Sequence, residues 1–217
     1  MPMREQLLRE LEGSNDVGVL LVAQMGGVPE EIQLVIQTAS YDEKAGGLRE
    51  RTAYIIRALG VKEHRASMGV FGSLFFAMEH PILFHHNSAS HEIAFEGIPA
   101  NPNELVLDIQ AAYSATFGPW RDLADDINRS KPLFDLLQQG SGTLGKMPSQ
   151  AAERMVKVFE HHNMRATTTE IEPARSDDPD EHGRTQKLKL LGIDDSYFLA
   201  YSFMVDEMGA DARKKRD

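Results

Sequence analysis

The chain has 217 residues, with 33 Asp+Glu against 23 Lys+Arg, a formal net charge of −10 and no cysteine. The missing thiols rule out a disulfide framework, a thiolate zinc site, an iron–sulfur cluster and a cysteine nucleophile. The acidic balance argues against a general nucleic-acid or anionic-membrane surface. With 41% hydrophobic and 7% aromatic residues, the composition is too apolar for a disordered chain and predicts a soluble globular protein.

From the N-terminus, residues 3–12 place Leu7, Leu8 and Leu11 on one helical stripe that Gly13 ends. This segment lacks the apolar core of a signal peptide, so a cytoplasmic location is expected. Val17–Ala23 and the alternating run Glu31–Ala39 read as two strands of an antiparallel hairpin across Gly26-Gly27 and Pro29. Leu48, Thr52, Ile55, Ile56 and Leu59 fall at helical spacing with Gly60 behind them, which predicts a helix over 48–59. Val61 to Gly97 reads as strand throughout. Its Phe- and Met-rich part, Met68–Met78, is expected in a core, at a cavity or at a subunit interface. Pro81–Asn87 and His91–Glu96 flank Ser88-Ala89-Ser90, a loop of hairpin length.

Asn103 is expected to cap a helix over 104–117. Short helices follow over 120–128 and 132–138, then a glycine-rich loop at 140–146. A helix over 150–161 is expected behind a Ser149 cap. Strands close the chain at 165–172, 186–193 and 196–205, with an exposed Pro- and charge-rich loop at 172–184 and a tight turn at Asp194-Asp195. The order has no regular βαβ alternation and no repeat. It predicts one α+β domain over 1–209, a mainly antiparallel sheet drawn from both chain ends with a central helical block packed on it. Residues 210–217 read as a frayed polar tail, whose basic run at 213–216 is a solubilising end.

Candidate chemistry concentrates in two places. Four of the eight histidines fall between His80 and His91. On the predicted hairpin, His85 and His91 are diagonal neighbours of one face, where His64 or Glu79 would complete a divalent-metal site of imidazole and carboxylate. Gly140–Lys146 fits G-x-x-x-x-G-K. However, Met147 and Pro148 follow where Ser or Thr should hold Mg²⁺, and the expected helix before it is not a strand. A looser anion site remains, made of Gly142, Gly145, Lys146 and the helix start at Ser149.

Asp122, Asp125 and Asp126 share a helix face that reads as solvated, because no second aspartate-rich helix exists to complete a metal pocket. Asp178, Asp180, His182 and Gly183 echo half a calcium loop, but Lys189 stands where the bidentate Glu belongs. No G-x-S-x-G, S-x-x-K or H-E-x-x-H occurs. The expected function is therefore a non-catalytic, regulatory domain that binds a small molecule or a protein partner and self-associates as a homo-oligomer. Neither nucleic acid, membrane nor a resident cofactor is expected. The alternative is a metal-dependent, hydrolase-like enzyme centred on the 79–92 hairpin.

Overall fold

The computed structural model describes residues 2–44, 46–174 and 187–209. Among these, the elements run α1 (Met3–Arg9), β1 (Asp16–Met25), β2 (Glu31–Asp42), β3 (Gly47–Leu59), β4 (Glu63–Arg65), β5 (Gly69–Phe71) and β6 (Leu74–Ala77). They continue with α2 (Phe84–Asn87), β7 (Ser90–Glu96), α3 (Pro102–Phe117), α4 (Leu123–Asp126), α5 (Leu133–Leu137), β8 (Ser141–Pro148), α6 (Ser149–His161) and β9 (Arg165–Glu172). The chain closes on β10 (Lys189–Ile193), β11 (Ser196–Ala200) and β12 (Ser202–Glu207). The fold is α+β and dominated by antiparallel sheet, as the order of elements predicts. The tail at 210–217 and most of the 172–184 loop lie outside the described residues. No described helix is long and apolar enough to cross a membrane. The chain divides into two compact units, one from its start to Glu79 together with the segment from Leu188 onward, the other from His80 to Lys187.

The first unit is built from both chain ends. One sheet has the order β12-β3-β2-β1-β5, and a second the order β4-β11-β10-β6. Leu20, Leu34, Ile36, Tyr54 and Ile56 from the first sheet share one hydrophobic cluster with Leu191, Ile193 and Phe198 from the second and with Leu7 of α1. The predicted hairpin of β1 and β2 forms as antiparallel neighbours.

Two expectations fail here. The predicted helix over 48–59 is strand β3, paired with β2 on one side and β12 on the other. The run Ala53-Tyr54-Ile55-Ile56 is apolar at every position, so its period is ambiguous. Partners on both edges satisfy the backbone of an extended chain and decide for strand. Gly60 takes φ +68, the left-handed geometry expected of a helix cap, but here it turns the chain out of a strand. The predicted strand over 196–205 is two strands in different sheets, separated at Tyr201, whose N–H reaches back to the Leu59 carbonyl.

A polar knot fastens α1 to this sheet. Glu10, next after the helix, accepts hydrogen bonds from the hydroxyls of Thr38, Thr52 and Tyr54, the last two at 2.9 Å each. Burial pushes the Glu10 carboxyl up. The donors outweigh it, first Thr38, then Tyr54 and Thr52, and hold the group below its ordinary value. The same contact, with burial the larger cause, pushes the Tyr54 phenol up to about 12.

The second unit packs the central helices on a sheet of their own, of order β8-β7-β9. Ile93, Phe95, Leu144 and Met147 from the strands meet Leu105, Ile109 and Tyr113 of α3 and Met155 and Phe159 of α6. Asn101, rather than Asn103, caps α3, its side chain accepting from the Glu104 N–H. The opposite face of the sheet is polar. Across it Glu92 stands opposite Lys146 and Thr169, and Glu96 opposite Ser141 and Arg165, which is the usual solvated face of an antiparallel sheet.

Candidate functional site

The histidine hairpin does not form. Pro81–Leu83 is a 3₁₀ turn that His80 caps by accepting from the Ile82 N–H, and Phe84–Asn87 continues it as the short helix α2. Pro81 starts the turn well and cannot donate to a sheet ladder, and Ile82 and Leu83 are buried. With residues 81–87 helical, the strand alternation that put His85 and His91 on one face is lost.

His85 Nε2 instead lies 2.7 Å from Asp126 Oδ2, which also accepts from the Tyr113 hydroxyl at 2.7 Å. Burial, and then the bond to Asp126, pushes the Tyr113 phenol well above its ordinary range. His91, in β7, has its Nδ1 3.4 Å from Ser149 Oγ. His64, in β4, stacks on Phe198. Glu79 ends the first run of the other unit from His85 and His91. Among the described residues no group of three or more His, Asp or Glu is arranged to hold a metal ion.

The glycine loop at 140–146 is strand β8. Gly142 and Gly145 sit in its ladder with β7, and Lys146 is opposite Glu92 on the polar face. The segment is therefore extended along β7 instead of curling into a loop whose N–H groups converge on an anion. Gly145 is glycine because the chain at residues 126–127 crosses it, in a bridge between Ile127 and Gly145. The Ser149 side chain does not cap α6. Its hydroxyl donates to the Ala89 carbonyl at 3.1 Å, which ties the start of α6 to the β7 entry.

The three aspartates of 122–126 also part company. Asp122 caps α4, Asp125 pairs with Arg129, and Asp126 holds His85 and Tyr113. If Nε2 carries the proton shared with Asp126, the lone pair of His85 is on Nδ1. That atom is buried with no hydrogen-bond partner among the described residues. The set ties α2, α3 and α4 together.

The surface that departs from expectation is the outer face of the first sheet. Residues directly opposite in antiparallel strands share a face. One row across the sheet reads Val70, Val19, Gln37, Ala53, and the next reads Val22, Val35, Ile55, Asp206. A third reads Gln24, Gln33, Arg57, Met204. The register shift at Leu21 is what keeps Val19 and Val22 on the same side despite their odd spacing.

Val19, Val22, Val35, Ile55 and Val70 belong to neither hydrophobic cluster. Val70 is 63% and Leu21 51% exposed. An antiparallel sheet with one face on the core ordinarily turns polar residues outward. Here two successive rows turn branched aliphatics outward. Sequence periodicity could not find this face, because reading residues 48–59 as a helix removed one of its interior strands. The Met68–Met78 stretch divides: Phe71 and Leu74 enter the core, whereas Met68, Val70 and Met78 remain exposed.

No family model, curated protein or solved structure matches the chain.

Proposed function

We propose that this protein is a non-catalytic binding module that recognises a protein surface through the outer face of the β12-β3-β2-β1-β5 sheet and self-associates. The observation that supports the reading is the pair of aliphatic rows on that face. Contiguous apolar patches on soluble proteins mark interaction sites, and covering one gains about 25 cal/mol per Å². Two further observations favour binding over catalysis. The Ser149 hydroxyl is engaged by a backbone carbonyl, and the free nitrogen of His85 is buried.

The test is light scattering on the full chain through a dilution series, beside the variant carrying Val35→Glu and Ile55→Glu. The wild type is expected at a mass above one chain. The variant is expected at one chain, with an unchanged circular dichroism spectrum, since both side chains point away from the core. A wild type that runs as one chain at every concentration overturns self-association. A variant that associates as the wild type does overturns the role of this face.

A further inference from the structure

We infer that the occupant of this face is a second copy of the chain, docked face to face about a two-fold axis that runs across the strands, so that Glu50 of each copy meets Arg57 of the other. The inference rests on the binding reading above and specifies its partner and geometry.

Strand β3 carries the charges of the face at its two ends. Glu50 stands opposite Ala39 toward one end, and Arg57 opposite Gln33 and Met204 toward the other. Between them lie the two aliphatic rows, on which Gln37 and Asp206 are the polar positions. A two-fold axis lying between the sheets and perpendicular to the strands keeps β3 over β3 and exchanges its ends. With the axis between the two rows, each row lies on its mate, and the carboxylate end of one copy covers the guanidinium end of the other. The face is therefore self-complementary in charge as well as apolar at its centre, which is what an isologous contact requires. Stacked sheets sit about 10 Å apart, a distance that branched aliphatics fill by interdigitating.

The end groups are available for this. Glu50 is exposed and has no hydrogen-bond or ion-pair partner among the described residues. Arg57 uses one Nη on Asp206 at 2.9 Å, and its guanidinium retains further donors. Besides Glu50, Arg57 and Asp206 the described part of the face carries Glu31, which is buried and accepts from Gln33 Nε2, so no exposed block of one sign is offered to a strongly charged partner. Two chains of formal charge −10 repel at long range, so added salt should strengthen the association. The rim pairs then set register more than strength.

Charge reversal and mixing test this geometry. Glu50→Arg brings two arginines together at both ends of the pair, and Arg57→Glu brings two carboxylates together. Each variant alone is expected to associate about tenfold more weakly than the wild type. An equimolar mixture restores both end contacts. The arginine introduced at position 50 of one chain then meets the glutamate introduced at position 57 of the other, and the native pair forms at the opposite end. The mixture should recover wild-type affinity, and so should the doubly reversed chain Glu50→Arg/Arg57→Glu. If Val35→Glu/Ile55→Glu disperses the assembly but charge reversal and mixing leave affinity unmoved, this arrangement is overturned while the binding reading stands. If the wild type never exceeds one chain, both fall.

Discussion

Glu10→Ala is expected to lower the unfolding free energy by about 3 kcal/mol, read from denaturant melts. The substitution removes an acceptor shared by three hydroxyls. Thr38 has a second acceptor in the Thr52 carbonyl at 2.9 Å, so it is spared. Thr52 and the fully buried Tyr54 are not. Each hydroxyl left without a partner costs roughly 1–3 kcal/mol. Tyr54→Phe removes one donor and leaves the carboxylate its other partners, so it should cost about half as much. A Glu10→Ala variant as stable as the wild type would show that α1 is held by its apolar packing through Leu7, Leu8 and Leu11 and not by this network.

The same network gives a pH dependence of definite sign. Glu10 is held below its ordinary value in the folded chain. Its contribution is therefore complete above the unfolded value of about 4.3 and disappears as pH falls through the lower folded value. The stability difference between wild type and Glu10→Ala should be constant near neutrality and narrow on acidification below about pH 4. A difference that widens with acid would reverse the assignment.

Gly145→Ala is expected to destabilise the protein by about 3 kcal/mol, at the upper end of overpacking costs. A Cβ there would lie 2.1 Å from the Asp126 carbonyl oxygen and 2.7 Å from the Ile127 Cα. Both are backbone atoms of a crossing segment, so relief requires that segment to move. Moving it breaks the bridge to Ile127 and the 2.7 Å bond from the Asn128 N–H to the Leu144 carbonyl. It also displaces Asp126 from His85 and Tyr113. Gly142 is the contrast. The nearest atoms to its added Cβ are the side-chain tips of Leu136 and Phe95, at 3.2 and 3.4 Å, and Gly142→Ala should cost about 1 kcal/mol or less. Thermal melts of the two variants separate a glycine needed for backbone crossing from one that is not. Equal effects would remove the crossing as the reason for Gly145.

Much of the local structure is legible in the sequence wherever one period dominates. The leucines of residues 3–12, the alternation of Glu31–Ala39 and the long stripe of 104–117 each name their element. Where every position is apolar the period vanishes, as in 53–56, and pairing partners decide. Pro81-Ile82-Leu83-Phe84 has β-like composition. Its proline and the His80 cap nevertheless start a helical turn there, and with it the hairpin geometry of His85 and His91 disappears. G-x-x-x-x-G-K looks like a phosphate loop because glycine spacing records only where Cβ is excluded. It does not record whether a ligand or a neighbouring strand excludes it.

The candidate surface was the least legible feature, since it consists of which side chains share a face across β1, β2, β3 and β5. The β1 bulge at Leu21 shifts that alternation by one residue, and no single segment reports it.

By itself the sequence determined that this is an acidic, thiol-free chain, and it set the antiparallel α+β class and most element positions. Those depend on composition and on periods within a dozen residues. Only the tertiary structure decided that the chain forms two units with separate cores, that residues 47–59 are a strand, that His85 lies against Asp126, and that one sheet turns two aliphatic rows outward. Each of these follows from contacts between residues far apart in sequence, where strand partners and crossing backbones outweigh local propensity.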